Sequence, residues 1–98
     1  MKIIKAGHEY ALKNAVPKAP DLHLFFIEKK APASGKGKLE LVRDGTTNEE
    51  VLAVLIDRMK FLDGIISSKD NRETIRHLEQ ALICLNRRTA ERKARRVE

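Results

Sequence analysis

The residues best equipped for chemistry lie at 86–96, in the run NRRTAERKARR. Arg88, Arg92 and Arg95 are spaced by four and three, so a helix would carry them on one stripe, with Arg87 and Arg96 beside it. A guanidinium presents a planar fork of donors and keeps its charge, so a row of them suits phosphate. A solvated basic helix end, favourable with the helix dipole, would use the same residues. Like charges at i and i+4 repel, however, and Arg88 with Arg92 costs helix stability unless an anion sits between them. That cost tilts the reading toward an anion site.

Two residues further back could hold the rest of a nucleotide. Phe61 is the only Phe, Tyr or Trp in the region 47–97, and an aromatic ring off the helix seam can stack a purine. Packing in an interface or against a sheet is its plainer use. The Asn71 amide can read a base edge or a ribose, although capping or turn formation is the commoner task at such a position.

Other chemistry lacks a pattern. His8, His23 and His77 stand apart from one another and from Cys84, with no metal-ligand spacing. Cys84 sits in an apolar stretch and is expected to be a small buried hydrophobe. The GKGK run at 35–38 has neither the spacing nor the strand-to-helix setting of a phosphate loop. No pair of carboxylates stands out. We therefore expect a binding protein, with no catalytic residue, metal or cofactor.

Composition fits an anionic partner. The 98 residues carry a formal charge of +6 with 35% charged and 42% apolar residues, and a pI near 9.7. Nucleic acid, a membrane surface or a nucleotide would each answer that charge. The apolar residues are patterned, which argues for a folded chain. No run is long enough to span a membrane, the first residues lack the apolar core of a signal peptide, and one cysteine excludes an internal disulfide. These features predict a soluble protein of a reducing cytoplasm.

The elements that must position the arginines follow from periodicity. Thr47 with Glu50 has capping-box spacing. Val51, Leu55, Met59, Leu62 and Ile66 then recur by four and three, predicting a helix and its seam. Residues 67–71 predict a turn, and a second helix should start near Asp70 or Asn71 with Glu73 in its first turn. Ile75, Leu78, Leu82, Leu85 and Thr89 form a heptad-like seam suited to antiparallel pairing. Val54, Phe61, Ile65, Ile83, Ala90, Ala94 and Val97 lie off both seams and need a further cover, from the N-terminal segment or from another subunit.

Upstream, residues 2–5 predict a short strand, and 9–16 a weakly patterned segment. Pro17 and Pro20 interrupt regular hydrogen bonding. The run LHLFFI at 22–27 predicts a strand that pairs across a Pro/Gly/Ser loop with residues 39–43. The expected fold is therefore α+β: a small N-terminal antiparallel β-sheet (1–45) followed by a long antiparallel helical hairpin (46–98), in a single domain.

Three segments, RDGTTNEEV at 43–51, LEQAL at 78–82 and LNRRTAER at 85–92, resemble the phage Thoeris anti-defence sponge of the first type, a relative of the phage anti-CBASS cyclic-nucleotide sponge. The resemblance covers the hairpin better than the strands. It implies a non-enzymatic protein in the host bacterial cytoplasm that sequesters cyclic ADP-ribose isomers, with cyclic di- and trinucleotides of CBASS as further ligands. It also implies a homo-oligomer, a dimer or a hexamer. Carried onto matching positions, Phe61 is the base-stacking aromatic, Asn71 the polar reader, and Arg88 with Arg92 the phosphate pair. Arg43, Thr46 and Arg95 are further expected ligand contacts. The chain departs from the family at Arg96, where a glycine is usual, and at Cys84, where a larger residue is expected.

Spacing adds a constraint of its own. Arg88 is seventeen residues beyond Asn71, about 25 Å along a helix that rises ~1.5 Å per residue. One small ligand cannot bridge that distance in one hairpin, so a shared pocket needs two subunits. The rival expectation is a small basic nucleic-acid-binding phage regulator, whose affinity would fall steeply with salt.

Overall fold

In the computed structural model, which describes residues 1–95, the chain is α+β, with five short strands followed by two helices. β1 (Lys2–Lys5), β2 (Glu9–Leu12) and β3 (Leu22–Phe25) form an antiparallel sheet in that order. β4 (Glu28–Lys30) and β5 (Glu40–Arg43) form a second, two-stranded sheet. α1 (Asn48–Ile65) and α2 (Lys69–Arg95) then make the hairpin that the periodicity predicts. The chain divides into two compact units, Met1–Thr47 and a second beginning at Asn48.

In the first unit one expectation is corrected. The run 22–27 does not pair with 39–43. Its first part, β3, is taken by β2, with Tyr10 opposite Leu24, and β5 pairs with β4 just beyond the run. The reason is a backbone crossing between the two sheets. Thr46 N–H donates to the Phe25 carbonyl at 2.8 Å, and Ile27 N–H donates to the Thr46 carbonyl at 2.9 Å, so the middle of the run is already bonded. Gly45 makes this approach possible, because a Cβ there would lie 2.6 Å from the Phe25 carbonyl oxygen. Ala11 is the buried centre of this unit at 3% exposure, with the Tyr10 and Phe26 rings meeting edge to face at 5.9 Å.

The second unit follows the predicted seam on α2 and departs from it on α1. Ile75, Leu78, Leu82, Leu85 and Thr89 are the half-buried positions of α2, together with Asn71. On α1 the most buried residue is Ile56, at 8%, while the predicted seam residue Leu55 is 42% exposed and Ile66, just past the helix, is 74% exposed. Val51, Met59 and Leu62 are half-buried as expected, but Leu52 and Ile56 replace Leu55 and Ile66. α1 carries apolar residues around more than half its circumference, so periodicity alone did not select the inward stripe. Polar contacts at both ends select it. Thr89 Oγ1 donates to Glu49 Oε1 at 3.2 Å, and Asp63 Oδ1 accepts from Ser68 N–H at 3.0 Å, turning the stripe through 49, 52, 56, 59 and 63 inward.

Three further corrections concern the turn and α2. The second helix starts at Lys69, a residue earlier than predicted, because the Ser68 hydroxyl accepts from Asn71 N–H at 3.0 Å and acts as its N-cap. Asp70, not Glu73, is therefore the acid of the first turn, and Glu73 instead bonds Arg76 at 2.8 Å. Cys84 is exposed: it lies between the seam residues Leu82 and Leu85 but is rotated off their line, onto the outer face of α2.

Candidate functional site

The arginine stripe forms as the spacing requires. Arg87, Arg88, Arg92 and Arg95 are all exposed on α2, and none has an ion-pair or hydrogen-bond partner among the described residues. Arg92, Lys93 and Arg95 occupy the last turn, where cations complement the helix dipole. Arg96 and Val97 lie outside the described residues. The level of these groups follows from the hairpin register, which the Thr89–Glu49 bond and the Lys60–Glu79 ion pair at 3.3 Å fix. Glu49 is the second residue of α1, so residues 90–95 extend past the start of α1. Their charge is therefore held on helix without an opposing helix beside it in this unit.

Phe61 sits on α1, 67% exposed, on the side turned away from α2. It closes one end of a shallow depression of about 530 Å³ lined by Glu50, Ala53, Val54, Asp57, Arg58 and Phe61. Those residues fall at steps of three, one, three, one and three, so a single face of one helix makes the depression. Val54, Ile65 and Ile83, which sequence also placed off the seams, are likewise exposed. The Asp57 and Arg58 lining was missed in the sequence, although both precede Phe61 by one helical turn.

Asn71 has a structural task. Its Nδ2 donates to the Ile66 carbonyl at 3.2 Å, closing the end of α1, and its own N–H is held by Ser68. Its amide oxygen makes no hydrogen bond among the described residues and is available as an acceptor. Phe61 and Asn71 therefore flank the turn, while Arg88 lies about 25 Å further along α2 at ~1.5 Å per residue. A single hairpin does not bring the two pairs together.

The two other positions belong to the first unit. Arg43 lies over the Phe25 ring at 4.2 Å and pairs with Glu9 Oε1 at 3.1 Å. Glu9 also faces His23 Nδ1 at 3.4 Å. Thr46 spends its backbone on the crossing described above. The neighbouring Glu28 carboxyl is held below its ordinary value of 4.5, first by the Lys5 hydrogen bond at 2.6 Å, which outweighs partial desolvation. On α2, Glu73 is lowered first by its hydrogen bond to Arg76. Among the described residues no group of three or more His, Cys, Asp or Glu could hold a metal ion, and no helix is long and apolar enough to cross a membrane.

The chain is thus a small α+β protein, a sheet followed by a hairpin, with an outward aromatic near the turn and, among the described residues, unpaired arginines at the far end. The chain is similar to Thoeris anti-defense 1 of Bacillus phage SBSphiJ7, at 41% identity over 56 residues, which bears out the resemblance read from the residues. The match takes in 56% of this chain and 39% of the relative, so it spans well under half of that protein. No family model matches the chain, and no solved structure does.

Proposed function

We propose that the chain acts in phage anti-defence as a sponge: it binds the cyclic ADP-ribose signal of Thoeris immunity and withholds it, without cleavage, in the host bacterial cytoplasm. The observation that carries this reading is the 41% identity to a protein named for Thoeris anti-defence. The geometry supports it independently. A purine stacks on the exposed Phe61 ring, the open oxygen of Asn71 accepts from the base or ribose, and Arg88 with Arg92 takes the phosphates. Because these groups are far apart in one hairpin, the pocket is composite. The turn of one subunit meets the basic end of another, which gives at least two equivalent pockets in a two-fold dimer. Dimers can assemble further into hexamers, and cyclic di- and trinucleotides of CBASS are candidates for additional sites that use Arg43, Thr46 or Arg95.

Sequestration needs no catalytic group, only a folded-state affinity high enough to lower the free signal. Thermal-shift titration against cyclic ADP-ribose isomers, cyclic dinucleotides and cyclic trinucleotides tests this directly, since a ligand bound only by the folded state raises the melting temperature by mass action. A cyclic ADP-ribose isomer should stabilise the protein and be recovered intact after denaturation. Recovery of a linear product would instead make the protein an enzyme. Stabilisation by duplex DNA alone, lost steeply with salt, would make it a nucleic-acid-binding regulator.

A further inference from the structure

The depression beside Phe61 is lined by three charged residues that the anion-binding account does not use, Glu50, Asp57 and Arg58. Asp57 and Arg58 line it one helical turn before the ring. Neither makes an ion pair or hydrogen bond among the described residues, although they are neighbours of opposite sign. Aromatic side chains on a helix lean toward its N-terminus and cover the preceding turn, so the Phe61 ring is directed over positions 57 and 58.

A carboxylate at this place restricts what the ring can hold. With Asp57, and Glu50 also in the lining, a phosphate here would meet like charge. The phosphates therefore belong with the arginines of α2, and the uncharged base with Phe61. The edge of a purine on the ring then faces one acceptor and one donor. Among the common purines, adenine presents the complementary pair on its major-groove edge: the 6-amino group donates and N7 accepts. Guanine and hypoxanthine carry a 6-oxo acceptor in place of that donor, which would face the carboxylate.

Resting on the sponge reading, we propose that Asp57 and Arg58 are specificity-determining residues that select a 6-aminopurine: Asp57 accepts from the exocyclic amine and Arg58 donates to N7. The site is thus an adenine reader at its Phe61 end and a phosphate clamp at its arginine end.

Calorimetric titration tests this with two probes: the cyclic ADP-ribose isomer that binds the wild-type protein, and the same compound with hypoxanthine in place of adenine. Wild type should prefer the adenine compound by about tenfold or more, the usual worth of a well-made edge contact. Asp57→Asn should reduce that preference to within about threefold, since an amide can donate to the 6-oxo group as well as accept from the amine. Arg58→Gln should weaken both compounds by about tenfold, whereas Phe61→Ala should abolish stacking of either. If wild type binds the isomer but Asp57→Asn keeps the full preference, the adenine-reading assignment falls and the sponge reading stands. If wild type binds no cyclic ADP-ribose isomer, both fall. Circular dichroism of each variant separates lost binding from lost fold.

Discussion

Phe61 and Ile56 lie five residues apart on α1 and face opposite ways, and variants at the two positions separate the proposed binding role from stability. Phe61 is 67% exposed, so Phe61→Ala should change unfolding free energy by no more than about 0.5 kcal/mol. It should also weaken ligand binding by about 1–3 kcal/mol, the worth of base stacking on an aromatic ring. Ile56 is 8% exposed and central to the hairpin, so Ile56→Ala should cost about 2–4 kcal/mol in urea unfolding. Glu28 supplies a pH test. Its carboxyl is held below 4.5, chiefly by Lys5, so its stabilising effect is complete above that value and is lost as pH falls through the lowered one. Thermal melts of wild type between pH 6 and pH 3 should show acid destabilisation of the N-terminal unit, and Glu28→Gln should flatten that slope.

At the scale of the element, α2 does two jobs along its length. Its first three-quarters pack on α1 through the seam from Ile75 to Thr89, and its last turns carry the unpaired cations. Arg92→Ala relieves a like-charged i, i+4 repulsion and gives up a cation that complements the helix dipole, two effects of similar size and opposite sign, so hairpin stability should change by no more than about 0.5 kcal/mol. The same variant should lose ligand stabilisation in a thermal shift. A residue that mattered only for the fold would show the reverse. Ser68→Ala removes the N-cap of α2 and should cost about 1 kcal/mol, read as a lower urea midpoint. Gly45→Ala should destabilise the strand crossing by about 1–3 kcal/mol, because its methyl would push on backbone, which cannot swing aside as a long side chain can.

For the whole molecule, the separation of Phe61 from Arg88 requires association if one ligand is to touch both. Light scattering should give a dimer or a multiple of it, and calorimetry one ligand per subunit. The decisive mixing experiment uses the Phe61→Ala and Arg92→Ala variants. Each variant alone should bind weakly, whereas a mixed dimer should regain one of its two sites if each pocket draws on two chains, so that a freely exchanged equimolar mixture recovers about a quarter of the wild-type sites. A mixture that stays inactive would place the whole site within one chain.

Local chemistry made much of this protein legible in its sequence. The steps of three and four on α2 gave the inward stripe, since that helix has one apolar face and a polar remainder. The arginine stripe could be read from spacing alone, as could the place of Phe61 off the predicted seam. What needed tertiary structure were the places where the sequence offered more than one consistent answer. α1 is apolar on two sides, and only the Glu49–Thr89 and Asp63–Ser68 bonds decide that Ile56 turns inward and Leu55 does not. The run 22–27 could pair with either neighbour, and the Thr46 crossing assigns it to β2. Cys84 was misjudged because hydrophobicity reports a preference for burial, whereas its place on the helix circumference dictates exposure. The pairing of Phe61 with Asp57 and Arg58 emerged only once the outer face of α1 was known, because periodicity tells which residues share a face and packing tells which face remains open.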